Sequence, residues 1–183
     1  MRLYDVALYL HIIALVVAGG ASGVTQLASA RRNRSRTVGE FLDWHGTLLA
    51  AGKIFPLVLV VFVLSGGYML SYTAAGGWRA PYIVAGLAGT VFLFASGAFL
   101  GITGAKFRRR LEALPAGDPL PPLSPPKLVL ALAGMNGWVA LAVAFVMVVK
   151  PATLGVALGI VAGVAILAAI RAVLQPPTFG PGA

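Results

Sequence analysis

Five long apolar stretches constrain this chain more than any other feature, at roughly residues 6–29, 54–73, 81–103, 128–149 and 153–174. Each is about 20–24 residues long. That is what an α-helix rising 1.5 Å per residue needs to cross about 30 Å of hydrocarbon. A water-soluble core of this size would not need five such segments. The expected fold is therefore all-α: one integral membrane domain, residues 1–174, built as a bundle of five transmembrane helices. Composition agrees, with 59% hydrophobic and 10% charged residues against about 45–50% and 25% in soluble domains.

A net charge of +9 would suggest nucleic acid as a partner for a soluble protein. Here the cations flank the spans, which argues for the lipid bilayer as partner and against nucleic acid. Arg31, Arg32, Arg34 and Arg36 follow the first span, and Lys106, Arg108, Arg109, Arg110 and Lys127 separate the third from the fourth. The other two connections carry only Arg79 and Lys150. The two clusters share a side, and the positive-inside rule makes that side the cytoplasm, with the N-terminus out and the C-terminus in. Arg171 falls on the same side. The first span could be mistaken for a signal peptide cleaved after Ala28-Ser29-Ala30, but it exceeds the roughly 7–15 apolar residues of such a segment. Cleavage would also leave the arginine cluster outside.

Residues 37–53 have apolar positions at helical spacing (Phe41, Trp44, Leu48, Leu49) among polar ones. They read as an interfacial helix or as an extension of the second span. Lys53 can snorkel to the interface. Pro56 falls in the first turn of the span, where its missing N–H costs least. Residues 74–79 predict a tight hairpin, and 107–114 a basic continuation of the third helix. Pro115, Pro119, Pro121, Pro122, Pro125 and Pro126 predict a stiff, extended spacer. Lys150-Pro151 leaves room only for an antiparallel hairpin between the last two spans. The tail, 175–183, has the composition of a disordered segment.

Glycines recur four apart at Gly155, Gly159 and Gly163, at Gly97 and Gly101, and at Gly19 and Gly23. Lipid tails give helices no hydrophobic reason to associate, so close backbone approach over glycine is a main driving force. These faces are expected to pack the monomer, with a homo-oligomer as the alternative.

An ionisable group inside a membrane is a functional candidate by default. His11 is the one deep in a span, about 8 Å below its outer edge. Ser65, Tyr68, Met69 and Met147 share its half of the membrane, with Gly86, Gly89, Gly155 and Gly159 leaving room. Three readings follow: a hydrogen bond to Ser65 or Tyr68, an axial ligand to haem b, or a copper(I) site of His11, Met69 and Met147. His45 lies about 40 Å from the outer end of its helix, too far to complete a bis-histidine haem with His11. It reads as an interfacial residue beside Trp44. Asn136, near the middle of its span, should bond to a neighbouring helix, with a substrate contact as the sharper alternative. The chain has no cysteine, and no hydrolase, zinc-protease or phosphate-loop motif occurs. That argues against conventional hydrolysis.

Three stretches together resemble a family of bacterial predicted integral membrane proteins with a Leu-His-Ile first helix. They are Leu10-His11-Ile12 followed by Gly19 and Gly23; Phe55-Pro56 leading to Ser65-Gly66; and Pro119-Leu120-Pro121-Pro122 ahead of a span ending Val148-Val149-Lys150-Pro151. The resemblance covers about the first 151 residues and implies a bacterial cytoplasmic (inner) membrane. The histidine-bearing first helix is more distantly similar to those of membrane protoporphyrinogen oxidase and the copper-resistance D membrane domain. The first of these implies haem on His11 and a possible oxidoreductase.

Overall fold

The computed structural model describes residues 2–72, 77–123 and 125–175. Six α-helices follow in order: α1 (Leu3–Asn33), α2 (Val38–Gly52), α3 (Ile54–Tyr72), α4 (Pro81–Leu111), α5 (Lys127–Val149) and α6 (Leu154–Leu174), with a single 3₁₀ turn at Gly77–Arg79 before α4. No strand occurs among the described residues. With α2 and α3 counted as one interrupted helix of 35 residues, five helices are long and apolar enough to cross a membrane. Helices suit that medium because they satisfy their backbone polar groups internally. The outward side chains suit it too: Leu57, Leu167 and Val148 are 68%, 70% and 80% exposed. Apolar surface on that scale is stable against lipid and not against water.

The first half of the molecule is an antiparallel pair, α1 against α2–α3. Thr37 caps α2 by accepting the Glu40 N–H at 3.3 Å. The interruption has a local cause. Pro56 has no N–H to offer the Gly52 carbonyl four residues back, so α2 stops at Gly52, and the Lys53 N–H turns to Ala50 at 3.2 Å. The register runs straight through the break. Tyr4 meets Tyr72, His11 meets Ser65 and Arg32 meets His45. Ser29 is therefore level with Thr47, on the α2 side of the break. Of the two readings of 37–53, the extension of the span is the one realised.

The seam of this pair repeats every seven residues. Ala7, Ala14, Ala21 and Ala28 are buried on α1, facing a row that includes Ala51, Val58 and Ser65. A seven-residue repeat keeps one face turned to a partner in a left-handed crossing, and alanine lets the backbones approach. The second half is α4–α5–α6, with α5 and α6 joined by the expected hairpin. Lys150 closes α5 with a left-handed φ of 51° and its N–H on the Val146 carbonyl at 2.9 Å. Gly89 lies directly beneath Val143, and Gly134 beneath Ala172. Ala85, Val146 and Ala157 form the buried centre.

The glycine expectation is corrected here. Gly19, Gly23, Gly97, Gly101, Gly155, Gly159 and Gly163 each have open space where a Cβ would stand. The monomer packs over alanine and over Gly89 and Gly134, and the four-residue glycine repeats face outward.

The proline-rich connection is also not a stiff, free spacer. It folds back on the start of α2: Val38 N–H bonds the Asp118 carbonyl (3.0 Å), Gly39 N–H that of Ala116 (2.9 Å), and Leu120 N–H that of Arg36 (2.9 Å). Val38, Phe41, Leu111 and Leu120 close an apolar cluster beneath it. This strap joins the two halves at the end that carries the arginine clusters, called the basic end below. The helical continuation past residue 107 is present, since α4 runs to Leu111. The tail at 176–183 and the hairpin residues 73–76 lie outside the described residues.

Candidate functional site

The polar side chains inside the bundle form three layers, each tying one helix to another. The layer farthest from the basic end is built on His11, which is half-buried on the seam face of α1. Its Nδ1 lies 3.0 Å from Ser65 Oγ, and its ring meets the Phe62 ring edge-on with centroids 4.7 Å apart. Gly66 lies against the ring, and a Cβ there would stand at contact distance, 3.4 Å from His11 Cε1. The Ser65 hydroxyl donates to the Val61 carbonyl one turn back. Its oxygen is therefore the acceptor for His11 Nδ1–H, and the Nε2 lone pair remains available. Tyr68, the other expected partner, instead donates to Tyr72 at 3.0 Å.

An imidazole with Nδ1 held and Nε2 free has the arrangement that metal-ligating histidines adopt. The surroundings offer it less. The two best-formed hollows among the described residues are about 490 Å³ beside Arg2, Leu3, Tyr4, Asp5 and Tyr72, and about 300 Å³ along Ala169, Ile170, Val173 and Leu174. Neither is lined by His11. The donor chemistry fits haem, although neither of these two hollows opens onto the ring. The copper set is divided between the halves. Met69 follows Ser65 by one turn on α3, whereas Met147 on α5 rests on Gly86 of α4, its sulfur 3.0 Å from where a Cβ would stand.

The middle layer joins α4 to α5. Ser96, buried on α4, donates to Asn136 Oδ1 at 2.8 Å, the cross-helix bond expected of Asn136. Gln26 of α1 reaches the same level, and its Nε2 would stand 3.3 Å from a Cβ at Gly137. Sequence reasoning passed over Gln26, although a carboxamide three residues from the end of an apolar span was a signal that could have been used.

The third layer lies just beyond the apolar spans at the basic end and overturns the reading of His45. This residue is 4% exposed, so at that level it is buried between helices and not open to its surroundings. Its Nε2–H donates to the Gly104 carbonyl of α4 at 3.0 Å, which leaves Nδ1 to accept from Arg32 Nη1 of α1 at 3.4 Å. Phe41 stacks on the ring (5.7 Å between centroids, 17° between planes), and Phe107 closes a second side. Arg32 also lies over the Phe41 face at 5.7 Å. Arg108 sits against Gly46 and is bridged to Glu112 at 2.8 Å. One imidazole thus joins α1, α2 and α4. Among the described residues no group of three His, Cys, Asp or Glu is placed to hold a metal ion.

Comparison of the chain with protein-family models, with characterised proteins and with solved structures found no match.

Proposed function

We propose that the chain is a non-catalytic multi-pass protein of a bacterial cytoplasmic membrane, with the N-terminus outside and the basic end in the cytoplasm. Its intramembrane polar residues serve to hold helices together. The observation that carries this reading is that His11 and Asn136 each bond to a side chain on a neighbouring helix. A coupling carboxylate for transport is not found deep in any span, so a solute path along Asn136 is the less favoured use of the same layer. Such hydrogen bonds contribute on average only about 0.6 kcal/mol in membranes, while a polar group removed from hydrocarbon favours the apolar state. The expected result is that His11→Leu melts in detergent at the parent's midpoint, with or without added haem or copper.

The second reading is haem b on His11, favoured by the free Nε2 and by the resemblance to membrane protoporphyrinogen oxidase. An absorption spectrum with metal analysis, taken after expression with both haem and copper available, separates the two. A Soret band that disappears in His11→Ala would replace the first reading with the second. Orientation is tested by reporter fusions: a fusion within residues 31–36 that reports outside would overturn it.

A further inference from the structure

The basic end carries far more positive charge than its own carboxylates neutralise. Four carboxylates lie there against eleven Lys and Arg: Glu112 is bridged to Arg108, Glu40 accepts the Arg36 backbone N–H at 2.9 Å, and Asp43 and Asp118 make no salt bridge among the described residues. Arg31, Arg34, Lys106, Arg109 and Arg110 are exposed and have no salt-bridge partner among the described residues. Rigid structure fixes their positions. Arg31 and Arg34 flank Arg32, which is held by His45, and the three on α4 follow Gly104, which bonds the same imidazole. The strap and the Val38–Phe41–Leu111–Leu120 cluster pin that end of α4 against α2.

Their depth is fixed as well. Lys106 lies two residues past Gly104, and Arg109 and Arg110 five and six past it. At about 1.5 Å per residue that is roughly 3–9 Å beyond the His45 layer, which itself lies just outside the apolar spans. This is the level of lipid headgroups. The opposite end has only Arg2, Arg79 and Lys150, with Asp5 among them.

We propose that Arg31, Arg34, Lys106, Arg109 and Arg110 form a binding surface for the phosphate headgroups of anionic phospholipids. A charge near an anionic leaflet gains about 1 kcal/mol per Lys or Arg, and guanidinium matches phosphate oxygens in bidentate geometry. Satisfying the basic needs of membrane insertion requires only that the charges stay on one side. Holding them on two helix ends that share one buried imidazole keeps the array ordered for a ligand.

The test is thermal unfolding of the full chain in mild detergent with added phosphatidylglycerol or phosphatidylcholine. Phosphatidylglycerol should raise the midpoint by several degrees and phosphatidylcholine should not, and high salt should remove the difference. Arg31→Gln, Arg34→Gln, Arg109→Gln and Arg110→Gln combined should lose at least half of the shift, while Arg2→Gln with Arg79→Gln should keep it. Native mass spectrometry of the same samples should show fewer retained phosphatidylglycerol molecules on the fourfold variant. That count is readable even if the variant is less stable. Equal shifts from both lipids, an equal shift from inorganic phosphate at the same concentration, or an unchanged lipid count on the fourfold variant would each overturn the proposal.

Discussion

His45 holds three helices through one ring, so its removal should cost more than that of any other polar residue in the bundle. His45→Ala loses the bonds to Gly104 and from Arg32 and leaves a cavity between two phenylalanines. The expected loss is about 2–4 kcal/mol, read as a lowered melting midpoint. Ser65→Ala should cost about 0.6 kcal/mol. A midpoint for His45→Ala no lower than that of Ser65→Ala would refute this ranking. Acid should act at the same place. Burial is the largest influence and opposes a second proton on the ring; the Gly104 bond, next in size, favours it, and the Arg32 and Arg108 guanidiniums oppose it further, so the net effect keeps the ring neutral to lower pH. The unfolded chain takes up that proton near pH 6.5 and the native state does so lower. Stability is therefore complete above about pH 6.5 and falls as the pH drops below it, with a midpoint whose acid sensitivity shrinks in His45→Gln. Residue roles were legible where depth alone decided them. A lone imidazole in hydrocarbon has to find a partner at its own level, and Ser65 was within reach. His45 was misread because Gly104, 59 positions away, comes to it only through the placement of α4.

Among the helices, the same chemistry of small residues has two outcomes, depending on the face that carries them. Gly89 and Gly134 have Val143 and Ala172 pressed on them, whereas Gly159 and Gly163 have open space. Gly89→Ala and Gly134→Ala should each force a shift costing about 1–3 kcal/mol. Gly159→Ala and Gly163→Ala should be neutral or slightly stabilising, because alanine favours a helix over glycine by up to about 1 kcal/mol. Thermal melts of the four variants settle the ordering, and an equal loss at all four positions would contradict it. The number and succession of the spans were readable from hydropathy, since helix length in lipid is dictated by thickness. The packing face was not. The glycine repeats looked like the seam, but the seam follows the seven-residue alanine row, whose partner side chains at Ala51, Val58 and Ser65 straddle a helix break. A repeat shared across a break becomes visible only once the register is known.

At the level of the whole molecule, the two halves are joined unequally. His45 on Gly104, Arg108 on Gly46, Gln26 beside Gly137 and the strap on α2 all lie toward the basic end. Toward the other end, α4 touches α3 only sparsely, and Trp78 of the 3₁₀ turn lies on Gly67 of α3. The strap was the least legible part of the fold, because prolines announce an extended chain without saying what it will lie against. Its backbone bonds to α2 depend on Gly39 and Val38 presenting free N–H groups in the first turn of a helix. A pair of arms fastened at one end behaves like tongs: the same thermal energy that barely moves the pivot opens the tips. The chain has no cysteine of its own, so spin labels can be placed in pairs without background. A pair at Thr47 and Ile102, close to the pivot, should give a narrow distance distribution, and a pair at Leu64 and Leu87, toward the tips, a broad one. Equal widths would mean that the arms are locked together along their whole length.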